Sequence, residues 1–222
     1  MNDELDGAQT QDRPEPSTRE KRFEVTAVIL LALTALATAW SGYQASLWDG
    51  IQSSSYSQAS GARTNAARFH TEANQYRIAD LSVFEAYVNA RIAGEQEGAD
   101  FYSERFRDEF AVAFEAWMAL DPLNNTDAPA TPLAMPEYQL ASEQTATDLE
   151  AKADALFTAG EDANTISDVY TLTTLLFAVV LFFTALSERF DFVRVRVALL
   201  VLGAIGLVSG LSVALAQPIT SG

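Results

Sequence analysis

Three long stretches of this chain carry no charge. Val25 to Trp48, Val169 to Ser187 and Val197 to Gly222 contain no Asp, Glu, Lys or Arg over 24, 19 and 26 residues. A helix rises about 1.5 Å per residue, so roughly 20 apolar residues cross a hydrocarbon core about 30 Å thick. The second stretch, VYTLTTLLFAVVLFFTALS, is short but sufficient. The third is best ended near Ala216, because Pro218 and its polar neighbours stop a helix. Helices buried in a soluble core are the alternative. They would need apolar cover on all sides, and the intervening chain is too polar to supply it. The fold class expected is all-α: three transmembrane helices with an extended, coiled-coil-like three-helix stalk outside the cytoplasm.

Lys and Arg set the direction. Arg19, Lys21 and Arg22 precede the first stretch, and Arg189, Arg194 and Arg196 crowd the short link between the second and third. The chain after the first stretch is poor in bases near the membrane, Arg63 being the first. The positive-inside rule places the basic segments in the cytoplasm. This divides the chain into a disordered cytoplasmic tail (1–22), a first span (23–48) and an acidic helical domain outside the cytoplasm (49–168). A second span (169–187), a cytoplasmic link (188–196), a third span (197–216) and an outer tail (217–222) complete it. Trp40, Tyr43 and Trp48 fall at the outer end of the first span, where an aromatic belt is expected. Arg19–Arg22, an apolar run and Ala37-Thr38-Ala39 also fit a cleaved signal peptide. The long acidic leader and the continuation of the apolar run to Trp48 oppose that, and the domain faces outward in either case.

Net charge is -16. Between Asp49 and Asp168 there are 21 Asp/Glu against 7 Lys/Arg, a balance of -14. Such a surface repels phosphates, which argues against a nucleic-acid partner. Cysteine is absent and His70 is the sole histidine, which excludes disulfides, thiol chemistry and multi-His metal sites.

The domain has helical periodicity. Ala59, Ala62, Ala66, Phe69, Ala73, Tyr76, Val83, Tyr87 and Ala90 step by three and four, with Asp80 the one exception. The same phase extends back to Ala45 and Trp48, predicting one helix from the first span to about Gly94, with Gly61 as a possible kink. Phe106, Phe110, Ala113, Trp117 and Leu120 predict a second helix over 99–120, ended by Asp121-Pro122. The following stretch, DPLNNTDAPATPLAMPEY, has four prolines and reads as a loop or cap. Ala146, Leu149, Ala153, Leu156, Gly160, Ala163 and Tyr170 predict a third helix that leads into the second span. The first outer helix rises about 72 Å, the second descends about 33 Å, and the third must start about 42 Å up. These heights describe a three-helix base with a two-helix hairpin above. The hairpin's seam would be uncovered in a monomer, which suggests oligomerisation. Gly206-Leu-Val-Ser-Gly210 in the last span permits close helix contact, within the chain or between chains.

No catalytic, cofactor-binding or metal-binding residues are assigned. Walker, zinc and nucleophile-elbow motifs are missing, and the spans hold no ionisable residue of the kind that pumps use. His70 reads as a surface or partner contact. Asp100, Glu104 and Asp108 read as ordinary helix-surface charges beside Arg105 and Arg107, and Asp121–Asp127 as a turn rather than a calcium loop. Asn65, Asn74 and Gln75 read as stalk surface.

Trp40-Ser-Gly-Tyr-Gln44 at the outer end of the first span and Ser187-Glu-Arg189 in the closing hairpin carry a resemblance. The layout resembles a family of uncharacterised bacterial three-span inner-membrane proteins known only as a domain of unknown function. The resemblance implies a bacterial inner membrane and assigns no catalytic residue. The expected partners are the lipid bilayer and a second copy or another membrane protein. A non-enzymatic structural or interaction protein fits best; a sensor subunit and a channel or transporter accessory subunit are the alternatives.

Overall fold

The computed structural model describes residues 18–122, 124–190 and 192–221. Residues 1–17 of the expected tail, Leu123 of the proline-rich loop, Asp191 of the link and Gly222 lie outside the described residues. Among those described the protein is all-helical. The elements are α1 (Thr18–Ala93), α2 (Gln96–Ser103), α3 (Asp108–Met118), a 3-10 turn (Pro132–Ala134), α4 (Ala141–Ser187) and α5 (Val193–Ala216). Three of them, α1, α4 and α5, contain stretches long and apolar enough to cross a membrane.

Both long helices expected from the periodicity are present. Helix α1 passes through Gly61 unbroken and stops at Gly94, whose φ of 76° lies in the left-handed region that glycine tolerates best. Helix α4 runs from the domain to Ser187 without a break. The chain forms two compact units, one taking residues up to Ile51 and from Asp162 on, the other Gln52–Glu161.

In the first unit a mixed interior is wrapped in an apolar exterior. The interior holds Ala27, Leu30, Phe177, Val180, Leu200 and Leu207 together with Thr34, Ser41, Thr173, Thr184 and Ser187. Large aliphatic and aromatic side chains such as Leu36, Leu172, Phe182, Ile205 and Leu215 point outward. Four of these five hydroxyls are satisfied locally, Thr34 donating to the Leu30 carbonyl at 2.7 Å, Thr173 to Val169 at 2.8 Å, Thr184 to Val180 at 2.8 Å and Ser187 to Thr184 at 2.6 Å, whereas the Ser41 hydroxyl has no partner among the described residues. The glycine face of α5 packs within the chain. Gly203 lies against Leu30 and Thr184, Gly206 against Val180 and Gly210 against the Phe177 ring. A Cβ at Gly206 would stand 2.7 Å from Val180 Cγ2, so glycine is what lets α5 approach α4.

In the second unit α1 and α4 run antiparallel. Tyr56 meets Phe157 and Gly160, Arg63 pairs with Asp154, and Arg77 with Glu143, so rising numbers on one helix meet falling numbers on the other. Ala59, Ala62, Ala66 and Ala73 face inward from α1, and Ala146 and Ala153 from α4.

The expected second helix is not a single rod. It breaks at 104–107 into α2 and α3, with Arg107 in extended conformation (φ -63°, ψ 150°). Across the break Tyr102, Phe106, Phe110, Phe114 and Trp117 keep the helical spacing and pack on Phe84 and Tyr87 of α1. The proline-rich segment is a packed cap: Pro132 is buried, and Leu133, Met135 and Tyr138 pack on the same cluster. Trp117 donates from Nε1 to the Pro129 carbonyl at 2.6 Å, which ties the cap to α3. The seam expected to lie open in a monomer is therefore covered by the chain itself, with Phe84, Tyr87 and Ala90 all buried. The sequence-level reason for a second copy at that seam disappears with it.

Candidate functional site

Asp80, the residue that interrupted the apolar periodicity, is 3% exposed and forms the polar centre of the helical domain. Arg107 donates to its Oδ2 at 2.9 Å and the Tyr138 hydroxyl donates to the same oxygen at 2.8 Å. The first partner comes from the break between α2 and α3, the second from the proline-rich cap. One carboxylate thus fastens both irregular segments to α1. Arg107 is itself oriented by Glu109 and by the Tyr76 ring, whose centroid lies 3.8 Å from its guanidinium carbon. Glu109 also accepts from the backbone N–H of Ala141 at 3.3 Å, placing a carboxylate at the start of α4 where the helix dipole favours it.

Burial pushes the Tyr138 hydroxyl well above the ordinary tyrosine value, and its hydrogen bond to the Asp80 carboxylate adds to the shift. Tyr138 therefore stays a neutral donor across the physiological range. Tyr76 is also raised, chiefly because its hydroxyl donates to the Glu72 carboxylate at 3.0 Å. Beside this centre opens a cleft of about 510 Å³, lined by Arg77, Glu109, Tyr138, Glu143 and Thr147 among others. Arg77 is held there by Glu143 at 3.0 Å.

His70 lies between two carboxylates of α4, with Nε2 3.1 Å from Glu150 and Nδ1 3.5 Å from Glu143. It is about a third exposed, so it lies at the domain surface as expected, and its contacts there are within the chain. Asp100, Glu104 and Asp108 are not gathered on one face: Asp100 accepts from Gln96 on α2, Glu104 sits in the turn beside Arg105, and Asp108 opens α3. The 121–127 segment is a turn as expected. Asn124 donates to Asp121, Asn125 to the Leu120 carbonyl, and the Asp127 N–H to Asn125. Asn65, Asn74 and Gln75 are exposed, and Asn74 accepts from Arg77 at 3.0 Å.

A second polar centre belongs to the other unit and uses the Trp40–Gln44 motif. Gln44 is 3% exposed and pairs through both amide atoms with Thr220: its Nε2 donates to the carbonyl and its Oε1 accepts from the N–H, each at 3.1 Å. Trp48 and Tyr170 both donate to the Pro218 carbonyl at 3.2 Å, and Trp40 meets Tyr170 edge to face at 5.8 Å. The segment after α5 is thereby clasped to α1 and α4. The motif was visible in the sequence; its partner, 176 residues away, was not.

No protein-family model, curated protein or solved structure matches this chain.

Proposed function

We propose that this is a multi-pass protein of a bacterial inner membrane whose helical domain lies outside the cytoplasm and serves as a non-enzymatic structural or interaction module. The observation that carries the membrane assignment is the apolar exterior of the three-helix unit. Its interior mixes Leu30, Phe177, Val180, Leu200 and Leu207 with hydroxyls and glycines, while further leucines, isoleucines and phenylalanines cover its outside. Water would penalise that surface, and hydrocarbon would not. The basic ends at 19–22 and 189–196 support a cytoplasmic N-terminus and link. The resemblance to uncharacterised bacterial three-span proteins supports the inner membrane.

The structural role rests on how the domain uses its polar groups. Asp80, Arg107 and Tyr138 bind one another, as do Arg77 with Glu143 and His70 with Glu150. These contacts fix the domain's shape. The interaction surface of this reading is the apolar residues left outside, among them Ile92, Phe101 and Val112, and its partner is a second copy or another membrane protein. Crosslinking in intact membranes through cysteines placed at Ile92 and Val112 tests it. A discrete crosslinked species is expected; a chain that stays monomeric at every position rejects the role.

The cleft beside Tyr138 favours one second reading, a sensor subunit that binds a small polar ligand there. Protection of an Arg77→Cys variant from alkylation by a screened solute would favour the sensor; alkylation that no solute alters would leave the structural role.

A further inference from the structure

Four of the seven Lys and Arg side chains of the helical domain are ion-paired: Arg63, Arg77, Arg105 and Arg107. At the link end of the three-helix unit the pattern reverses. Lys21, Arg22, Arg189, Arg194 and Arg196 make no ion pair or side-chain hydrogen bond with any described residue. Arg196 is the sharpest case. Its Nε is buried and has no acceptor, and its guanidinium carbon lies 5.5 Å from the Phe23 ring centroid on α1. The residue as a whole is part-exposed, so it is this one donor atom that is shielded from water without a partner, at a cost.

The start of α5 compounds this. Phe192 at its N-cap supplies no side-chain hydrogen bond, and its first turn holds no acid. Instead Arg194 and Arg196 place positive charge at the positive end of the helix dipole. One anion would relieve both defects. The surroundings say which kind: Phe192, Val193, Val195 and Val197 are exposed around the arginines, so the anionic group has to arrive attached to an apolar body.

We propose that Arg196, assisted by Arg194, binds the headgroup phosphate of an anionic phospholipid at the start of α5. The phosphate accepts from the Arg196 guanidinium and faces the free N–H groups of the first turn. The acyl chains lie along the exposed valines. Phe23 closes the guanidinium's other face. The site rests on the membrane reading above and adds a selective lipid contact to it.

The test uses full-length protein in neutral detergent, titrated with phosphatidylglycerol or phosphatidylcholine, with bound lipid counted by native mass spectrometry. Phosphatidylglycerol is expected to be retained about tenfold more tightly than phosphatidylcholine, the worth of one charge-assisted hydrogen bond. Arg196→Gln should abolish that preference and Arg194→Gln, at an exposed position, should weaken it. The Lys21→Gln/Arg22→Gln double variant removes two charges at the same end, one more than Arg196→Gln, and should still leave the preference within about twofold. Equal retention of the two lipids overturns the proposal, as does an Arg196→Gln protein of native helical content that keeps the preference. A K21Q/R22Q effect as large as that of R196Q overturns it in favour of diffuse attraction, and full displacement by inorganic phosphate overturns it in favour of a free-anion site. Should the protein prove soluble without detergent, the membrane reading fails first; a detergent-requiring protein indifferent to headgroup charge refutes the lipid site alone.

Discussion

Replacing Arg107 with leucine should unfasten the helical domain's cap. The substitution leaves Asp80, 3% exposed, with Tyr138 as its one remaining side-chain donor among the described residues. Breaking a fully buried ion pair costs about 3–5 kcal/mol. Arg107 is 29% exposed, so water reaches its side of the pair and the loss falls to about 2–3 kcal/mol. The lost stacking on Tyr76 adds about 0.5–1 kcal/mol. The total, about 3 kcal/mol, is a large share of a domain's stability. Tyr138→Phe removes only one hydrogen bond to the carboxylate and should cost about 1.5–2 kcal/mol. The double variant Asp80→Leu/Arg107→Leu removes the buried carboxylate together with its partner, leaving only the part-exposed Glu109 without Arg107, and should recover at least about 2 kcal/mol relative to the sum of the single losses. Denaturant unfolding in detergent reads this out in a Trp40→Phe/Trp48→Phe background. Trp117, 5.4 Å from Phe84 in the aromatic cluster, then reports the domain alone. An R107L midpoint within about 0.5 kcal/mol of its parent, or strict additivity in the double variant, would refute the assignment of Asp80 as the anchor.

Three further outcomes follow from the same structure. Tyr138 has a raised folded-state pKa, so its contribution is complete below the unfolded tyrosine value of about 10 and is lost as pH rises above it. An alkaline fall in domain stability that Tyr138→Phe does not reduce would contradict this. Gly210→Leu drives a side chain into the Phe177 ring and should lower thermal stability in detergent by about 1–3 kcal/mol, while Gly61→Ala, with open space around it, should raise domain stability by about 0.5–1 kcal/mol. Gln44→Leu removes both hydrogen bonds to Thr220, so carboxypeptidase should trim the C-terminus about tenfold faster; an unchanged rate would dissolve the clasp.

What could be read in advance followed from periodicity and length. Alanine spacing located α1 and α4 and most of their buried faces, because a helix repeats the same contact every three or four residues. The break at 104–107 was not legible, because its cause is tertiary. Arg107 leaves the helix to reach Asp80, a contact set by the fold rather than by local sequence. Phe84, at the centre of the aromatic cluster, lay one position off the expected seam. Asp80 itself was visible only as an irregularity in an apolar pattern. A charged residue on a buried stripe requires a partner, and Arg107, 27 residues on, could not be told from the nearer Arg77 and Arg91 without geometry. The cap segment was hidden for a similar reason: proline rules out helix but says nothing about packing, and Trp117 supplies the contact that orders it. The C-terminal clasp joins residues 176 apart, beyond the reach of any local pattern.

The account depends on α1, α4 and α5 lying in hydrocarbon, and alkaline carbonate extraction of cell membranes followed by density flotation measures that directly. An integral protein keeps its lipid when high pH strips proteins held only by surface contacts, and should float entirely with the vesicles. Recovery of the full-length chain as a folded species in the lipid-free bottom fraction would contradict it.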